Sequence, residues 1–273
     1  NEMNKFNIVA DLKIESDAAN FIKGILDQNC KSQIADWRAY CKKLRSEDVF
    51  VFPKHKELKD YVSNYYFIEK LSELIPSNIP TVTSNRSAHV VTLQTMKLKG
   101  EQRLFTNVGC ASMGYGLPAS IGACFANNKN PVVCIEGDGS LQMNIQELQT
   151  VVHHQIPLKI LVINNGTYLS IKETQEAFFG GSYVGSDPSS GVTLPSLEKI
   201  SGAYGIPYYS IKNNDEIEPI LSEVFSYNSG PLICEVFTYP KEKHEPKVVA
   251  TLKEDGTFEP GEVTDMKITK DFD

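Results

Sequence analysis

Asp138 lies in the turn Gly137-Asp138-Gly139-Ser140, and Asn165 follows it by 27 residues in the pair Asn164-Asn165. A carboxylate and an amide oxygen are hard ligands suited to Mg²⁺, which takes few protein oxygens and lets phosphate or water complete its octahedron. The glycines around Asp138 leave backbone N–H groups open to an anion. The two sites together read as a divalent-metal clamp on a diphosphate. Taken singly, each is an ordinary turn or loop; their pairing in matching local contexts favours the clamp.

Those contexts come from the elements on either side. Pro131 to Glu136 is a short β-branched run ending on glycine, as a buried parallel strand would. Leu141, Ile145, Leu148 and Val152 fall at helical spacing, which predicts a helix over 140–153. The turn therefore sits between a strand end and a helix start, where the helix dipole favours an anion. Leu158 to Ile163 is a second apolar run that stops at Asn164-Asn165-Gly166. Two strand ends would then present Asp138 and Asn165 to one crevice, the usual ligand position in open α/β sheets. Strands are expected at 81–84, 207–211 and 231–237, and helices at 18–28, 67–75, 168–178, 195–204 and 217–225. This alternation predicts an α/β fold, a doubly wound and mostly parallel sheet with helices on both faces.

Residues 104–171 resemble the cofactor-binding domain of thiamine-diphosphate enzymes of the acetohydroxyacid (acetolactate) synthase type, most strongly over Gly137 to Glu147. The resemblance implies thiamine diphosphate and Mg²⁺ as cofactors. It implies that Asp138, the Asn165 side chain and the Thr167 carbonyl hold Mg²⁺, that Gly137 lies in the motif turn, and that the Gly139 and Ser140 amides bond the diphosphate. Met143 matches the apolar residue over which the family bends its cofactor; a core-facing methionine is the plain alternative. Phe105 to Ala123 matches the family's glycine-rich entry to a helix. There the Ala111 carbonyl would accept from the 4′-amino group and the Met113 amide would donate to the pyrimidine, with Ser112 between them. Tyr168 and Leu169 would follow the metal loop into the same site. The loop after the strand at residue 81 would bring Ser87 and Ala88 to the diphosphate, although Arg86 stands where relatives favour glycine. Arg86 either supplements phosphate binding or points to solvent.

In this family a glutamate from an amino-terminal pyrimidine-binding domain activates the cofactor, and no counterpart is found in these residues. Asn1 to Ile14 resembles the tail of the family's central domain. The expected plan is a central-domain remnant and linker over 1–45, a cofactor domain over 46–239 and a polar tail over 240–273. Partners implied are an amino-terminal half or sister subunit supplying the glutamate, a small 2-oxo acid, and further copies in a homodimer or homotetramer. The implied activity is decarboxylation of a 2-oxo acid, pyruvate or similar, with transfer to an acceptor. A 2-oxo acid decarboxylase, a flavin-assisted oxidase and a non-catalytic subunit keeping the fold are the alternatives; FAD is open to the superfamily, but no residue indicates it. The family's acceptor-selecting tryptophan aligns with Thr174, and the lone tryptophan, Trp37, lies far from the motif. Lys172, Glu173 and Gln175 on that helix either recognise a more polar acceptor or are solvated charges.

Composition agrees with a cytoplasmic domain of sizeable core. No run of 18 apolar residues and no signal-like start occur in the sequence, so neither membrane insertion nor export is supported. A net charge of −7 argues against nucleic-acid binding. The six cysteines lack paired metal spacing, and several fall in apolar patterns as buried thiols would. The basic run Cys41 to Arg45 reads as a solvated helix face.

Overall fold

A computed structural model describes residues 11–28, 34–47, 50–248, 250–259, 261 and 266, in two units, Asn1–Val49 and Phe50–Asp273. The central-domain resemblance over residues 1–10 lies outside the described residues. In the first unit, α1 (Ala18–Asp27) starts where the Asp17 carboxylate accepts from the amides of Ala19 at 3.0 Å and Asn20 at 3.2 Å. The segment expected as a charged connection is a helix, α2 (Ala35–Glu47), whose described side chains are exposed. Lys42 and Lys43, the described charges of the basic run, lie on this exposed face, as the run implies.

The second unit carries α3 (Pro53–Glu57), α4 (Asn64–Leu74), β1 (Thr81–Thr83), α5 (Arg86–Thr95), β2 (Leu104–Phe105), α6 (Gly116–Ala126) and β3 (Val132–Gly137). It continues through α7 (Asp138–Leu141), α8 (Glu147–His153), β4 (Leu158–Asn164), α9 (Leu169–Phe179), α10 (Leu197–Tyr204), β5 (Tyr208–Ile211), α11 (Ile217–Ser226) and β6 (Leu232–Phe237). A short antiparallel pair, β7 (Thr251–Leu252) and β8 (Phe258–Glu259), follows. The main sheet has the order β2-β1-β3-β4-β6-β5 with every pairing parallel.

Burial explains the composition of the central strands. Val132 to Ile135 and Leu158 to Val162 are fully enclosed, so both faces are apolar and the runs do not alternate, except at Lys159, whose ammonium donates to the Tyr227 carbonyl. One face packs α4, α5 and α11 through Phe67, Leu71, Val91 and Leu221. The other packs α6, α8 and α10 through Leu117, Ile121, Leu148 and Leu197. Each such enclosed side chain contributes roughly 1.5–3 kcal/mol. Cys124, Cys134 and Cys234 are buried as small apolar residues, and burial pushes the thiols of Cys124 and Cys234 up to about 12.

The chain leaves β1 outward to β2, then crosses back to place β3 on the other side of β1. This reversal opens a crevice at the carboxyl ends of β1, β3 and β4. One expectation changes here: the predicted 140–153 helix is broken into α7, a 3₁₀ turn at Gln142–Asn144, and α8. Asn144 Nδ2 donates to the Gly114 carbonyl at 2.7 Å, tying this turn to the glycine-rich loop before α6. The tighter turn leaves Met143 48% exposed, so it is not a core residue. No described helix is long and apolar enough to cross a membrane.

Candidate functional site

Where β3 ends, Asp138 enters the crevice with its carboxylate held by three backbone donors. Gly139 donates to Oδ1 at 2.7 Å, and Asn165 and Gly166 donate to Oδ2 at 3.1 and 2.8 Å. The loops after β3 and β4 are therefore joined at this one side chain. Asp138 is buried, and burial pushes its carboxyl up to about 6 despite those donors. Among the described residues no lysine or arginine pairs with it, and no cluster of three or more His, Cys, Asp or Glu forms an all-protein metal cage. A buried acid without a cation, next to neutral oxygens, suits a hard cation that draws its other ligands from a bound phosphate.

Asn165 Oδ1 accepts from the Thr167 amide and hydroxyl, both at 3.1 Å, which curls the loop over the cleft. Gly139 is required by close approach: a Cβ there would lie 2.2 Å from the Tyr168 ring. Ser140 turns inward instead. Its hydroxyl accepts from the Gly114 amide at 2.8 Å and meets Ser84 Oγ at 2.8 Å, so only its backbone faces the crevice loop.

The floor beneath is a buried acid that sequence reasoning passed over. Glu136 is completely enclosed, accepts from the Leu117 amide at 3.1 Å and the Gly137 amide at 3.2 Å, and bonds Ser84 and Ser140. Burial raises its pKa. The carboxylate thus joins β1, β3 and the first turn of α6, where exposed amides favour negative charge. Gly116 makes room for it, since a Cβ there would lie 2.4 Å from Glu136 Oε2. Position 136 ends a β-branched run, and nothing local reveals that residues 84, 117 and 140 converge on it.

The cleft is lined by Ser87, Met113, Gly137, Asp138, Gly139, Ser140, Asn165, Thr167, Tyr168 and Leu169, all expected there. Ala111, Ser112 and Met143 lie outside its lining, and Ser112 is exposed. Asn85, Arg86, Ile163, Ser170 and Ile171 line it as well. Arg86 adopts φ +44, the left-handed region glycine favours, and donates from Nε to Ser170 Oγ at 2.5 Å. The residue is exposed and lines the cleft. His89 is packed, and burial lowers its pKa.

On α9, Lys172 pairs with Asp187 at 3.1 Å, and Gln175 Nε2 donates to the Val184 carbonyl at 3.0 Å. The tail expected to wrap the surface runs partly inside the domain. Glu242, His244 and Glu245 are buried, because Glu242 caps the start of α4 and His244 reaches Ser87.

The sequence is 30% identical to the acetolactate synthase large subunit of Pyropia yezoensis over 238 residues, which is 84% of this chain and 39% of the relative. It is 37% identical to the large subunit of Porphyra purpurea over 145 residues, 52% of this chain and 24% of that one. Against the acetolactate synthase isozyme 2 large subunit of Escherichia coli (strain K12) it is 30% identical over 204 residues, 74% and 35%. The chain thus spans about two fifths or less of these curated relatives. Residues 87–236 match the family model described as thiamine pyrophosphate enzyme, C-terminal TPP binding domain. With that match over more than half its length and a parallel sheet presenting the motif at its strand ends, the chain belongs to the thiamine pyrophosphate enzymes, whose C-terminal binding domain it carries.

Proposed function

We propose that this chain is the Mg²⁺- and thiamine-diphosphate-binding portion of an acetolactate-synthase-like enzyme that decarboxylates a 2-oxo acid and transfers the remaining acyl unit to an acceptor. The observation that carries the reading is the uncompensated Asp138 carboxylate beside Asn165, at neighbouring strand ends, in a cleft with glycine-opened backbone.

Asp138, Asn165 Oδ1 and the Thr167 carbonyl would hold Mg²⁺. The backbone at Gly139 and Ser140, and the start of α5 at Ser87, would receive the diphosphate, because helix starts favour anions; the Gly139 amide would turn to it from Asp138 Oδ1. The Ala111 carbonyl and Met113 amide would orient the pyrimidine, with Ser112 between them. Ala111 holds φ +48, an uncommon conformation that turns this backbone. Exposed Met143 would support the bend between the rings, and Tyr168 and Leu169 would close the diphosphate side. When bound, thiamine diphosphate supplies a thiazolium carbon that adds to the 2-oxo group and accepts the electron pair left by CO₂. This chain's residues fix its metal end and ring edge; the activating glutamate would come from an amino-terminal half or a sister subunit, in a homodimer or homotetramer.

Calorimetric titration of thiamine diphosphate in Mg²⁺ tests the assignment. Asp138→Ala is expected to weaken binding by at least roughly 10–100-fold, the scale on which even supporting residues of metal sites act. Unchanged affinity would refute the clamp.

A further inference from the structure

A second cleft, of about 540 Å³, opens beside the first, and Leu169 lines both. Lys172, Glu173 and Glu176 of α9 form one wall; Lys241, Lys243 and Lys247 of the carboxy-terminal segment form the other. Its lining carries four lysines and two glutamates, and Asp187 pairs with one of the lysines, Lys172, which still leaves a small positive excess in a chain whose net charge is −7.

Exposed lysines are usually only solvated, but these are built in. In Pro240 to Lys247 the inward side chains Glu242 and His244 alternate with the outward Lys241 and Lys243. The Glu242 carboxylate accepts from Ser63 Oγ and the Asn64 amide, both at 2.6 Å, and His244 Nε2 meets Ser87 Oγ at 2.9 Å. The Glu245 amide donates to Tyr65 Oη at 2.7 Å, and Gln94 Nε2 donates to the Pro246 carbonyl at 3.1 Å. The backbone bearing the lysines is thus fixed by buried bonds. The facing acids are already engaged: Glu173 Oε2 lies 3.6 Å from His244 Nδ1 while also feeling the charge of Lys247, and Glu176 accepts from Tyr183 Oη at 2.5 Å. Lys172 is paired with Asp187, whereas Lys241 and Lys247 have no ion pair within 4.0 Å among the described residues. Glu173 Oε1 is buried with no hydrogen-bond partner among those residues, a place for a hydroxyl donor.

We propose that this cleft binds a phosphate group carried by the acceptor substrate, so that the acceptor's reacting end lies in the Asp138 cleft. The inference rests on the functional reading above and narrows it to acceptors with an anion about one helical turn from the cofactor site, the offset from Leu169 to Lys172. Ammonium groups carried on a fixed backbone bind such anions by charge-assisted hydrogen bonds and draw them in by their field.

The test is calorimetry on the full chain, with thiamine diphosphate and Mg²⁺ titrated first, then glyceraldehyde 3-phosphate, glyceraldehyde and inorganic phosphate in turn. The phosphorylated aldehyde should bind most tightly. Lys241→Gln with Lys247→Gln should weaken that binding by roughly tenfold, as expected for lost charge-assisted contacts, and leave glyceraldehyde and thiamine diphosphate affinities unchanged. Equal binding of the two aldehydes to cofactor-loaded protein would overturn the inference and leave the functional reading intact. Inorganic phosphate binding as tightly as the ester would overturn its assignment to the acceptor. Lysine-dependent ester binding to a protein that takes no thiamine diphosphate would support the anion site and sink the functional reading.

Discussion

Single residues at the site are held by exclusion as much as by attraction. Gly116 and Glu136 illustrate this, because the glycine leaves the space that the carboxylate fills. Gly116→Ala is expected to cost about 1–3 kcal/mol in chemical denaturation, the range for overpacking a dense interior. Glu136→Ala should cost a similar amount by leaving the Leu117 amide and the Ser84 and Ser140 hydroxyls short of a partner. The double variant should cost less than the two together, since the methyl then enters vacated space; strict additivity would show that the two residues do not share that volume. Asp138 and Asn165 were legible in the sequence because a motif and its spacing survive in one dimension. Glu136 was not, since its partners come from three separate segments. Met143 was ambiguous at helical spacing, and only the break in the helix decides that it faces outward.

The elements around the cleft differ in how they are secured. Five of the six strands of the main sheet were readable to within one or two residues, the central ones because burial on both faces demands apolar runs, whereas β2, two half-buried residues, was not read. Helix α5 was not read: Arg86 to Thr95 carries small and polar residues, and its place against the sheet rests on Ala88 and Val91. The carboxy-terminal segment was read as a surface wrap because its lysines dominate the composition, while its anchors are acids and a histidine. Those anchors carry a pH signature. Burial raises Glu242 from 4.5 to about 7, partly opposed by the Ser63 and Asn64 bonds and by Lys54. A raised acid favours its protonated form in the fold, so this group's contribution is full below about pH 4.5 and is lost as pH rises through about 7. His55 works in the opposite sense, because burial lowers it to about 4. The useful measurement is therefore the difference between wild type and Glu242→Gln in thermal unfolding. The wild type should lose stability relative to the variant between about pH 4.5 and pH 7, and parallel curves would count against a buried, titrating Glu242.

The whole chain spans about two fifths or less of the curated relatives it matches. With no glutamate among the described residues that line the proposed site, purified chain supplied with thiamine diphosphate, Mg²⁺ and pyruvate is expected to release no CO₂ above the protein-free control. Turnover should return on adding an amino-terminal half; turnover without it would end the division of labour proposed here. The fold class could be read from the alternation of elements, whereas the strand order could not, because the reversal between β1 and β3 depends on a crossover that no local pattern encodes. That order also governs how the cleft comes into being. Its three strands are neighbours in space, yet β1 and β3 are some 50 residues apart and β4 reaches its outer partner β6 only some 70 residues later. Such long loops must close before any pairing rewards them. A peptide from Gly137 to Asn165 would carry the motif and have no pocket, so affinity for the cofactor reports on completion of the entire sheet and can serve as a clock for its folding.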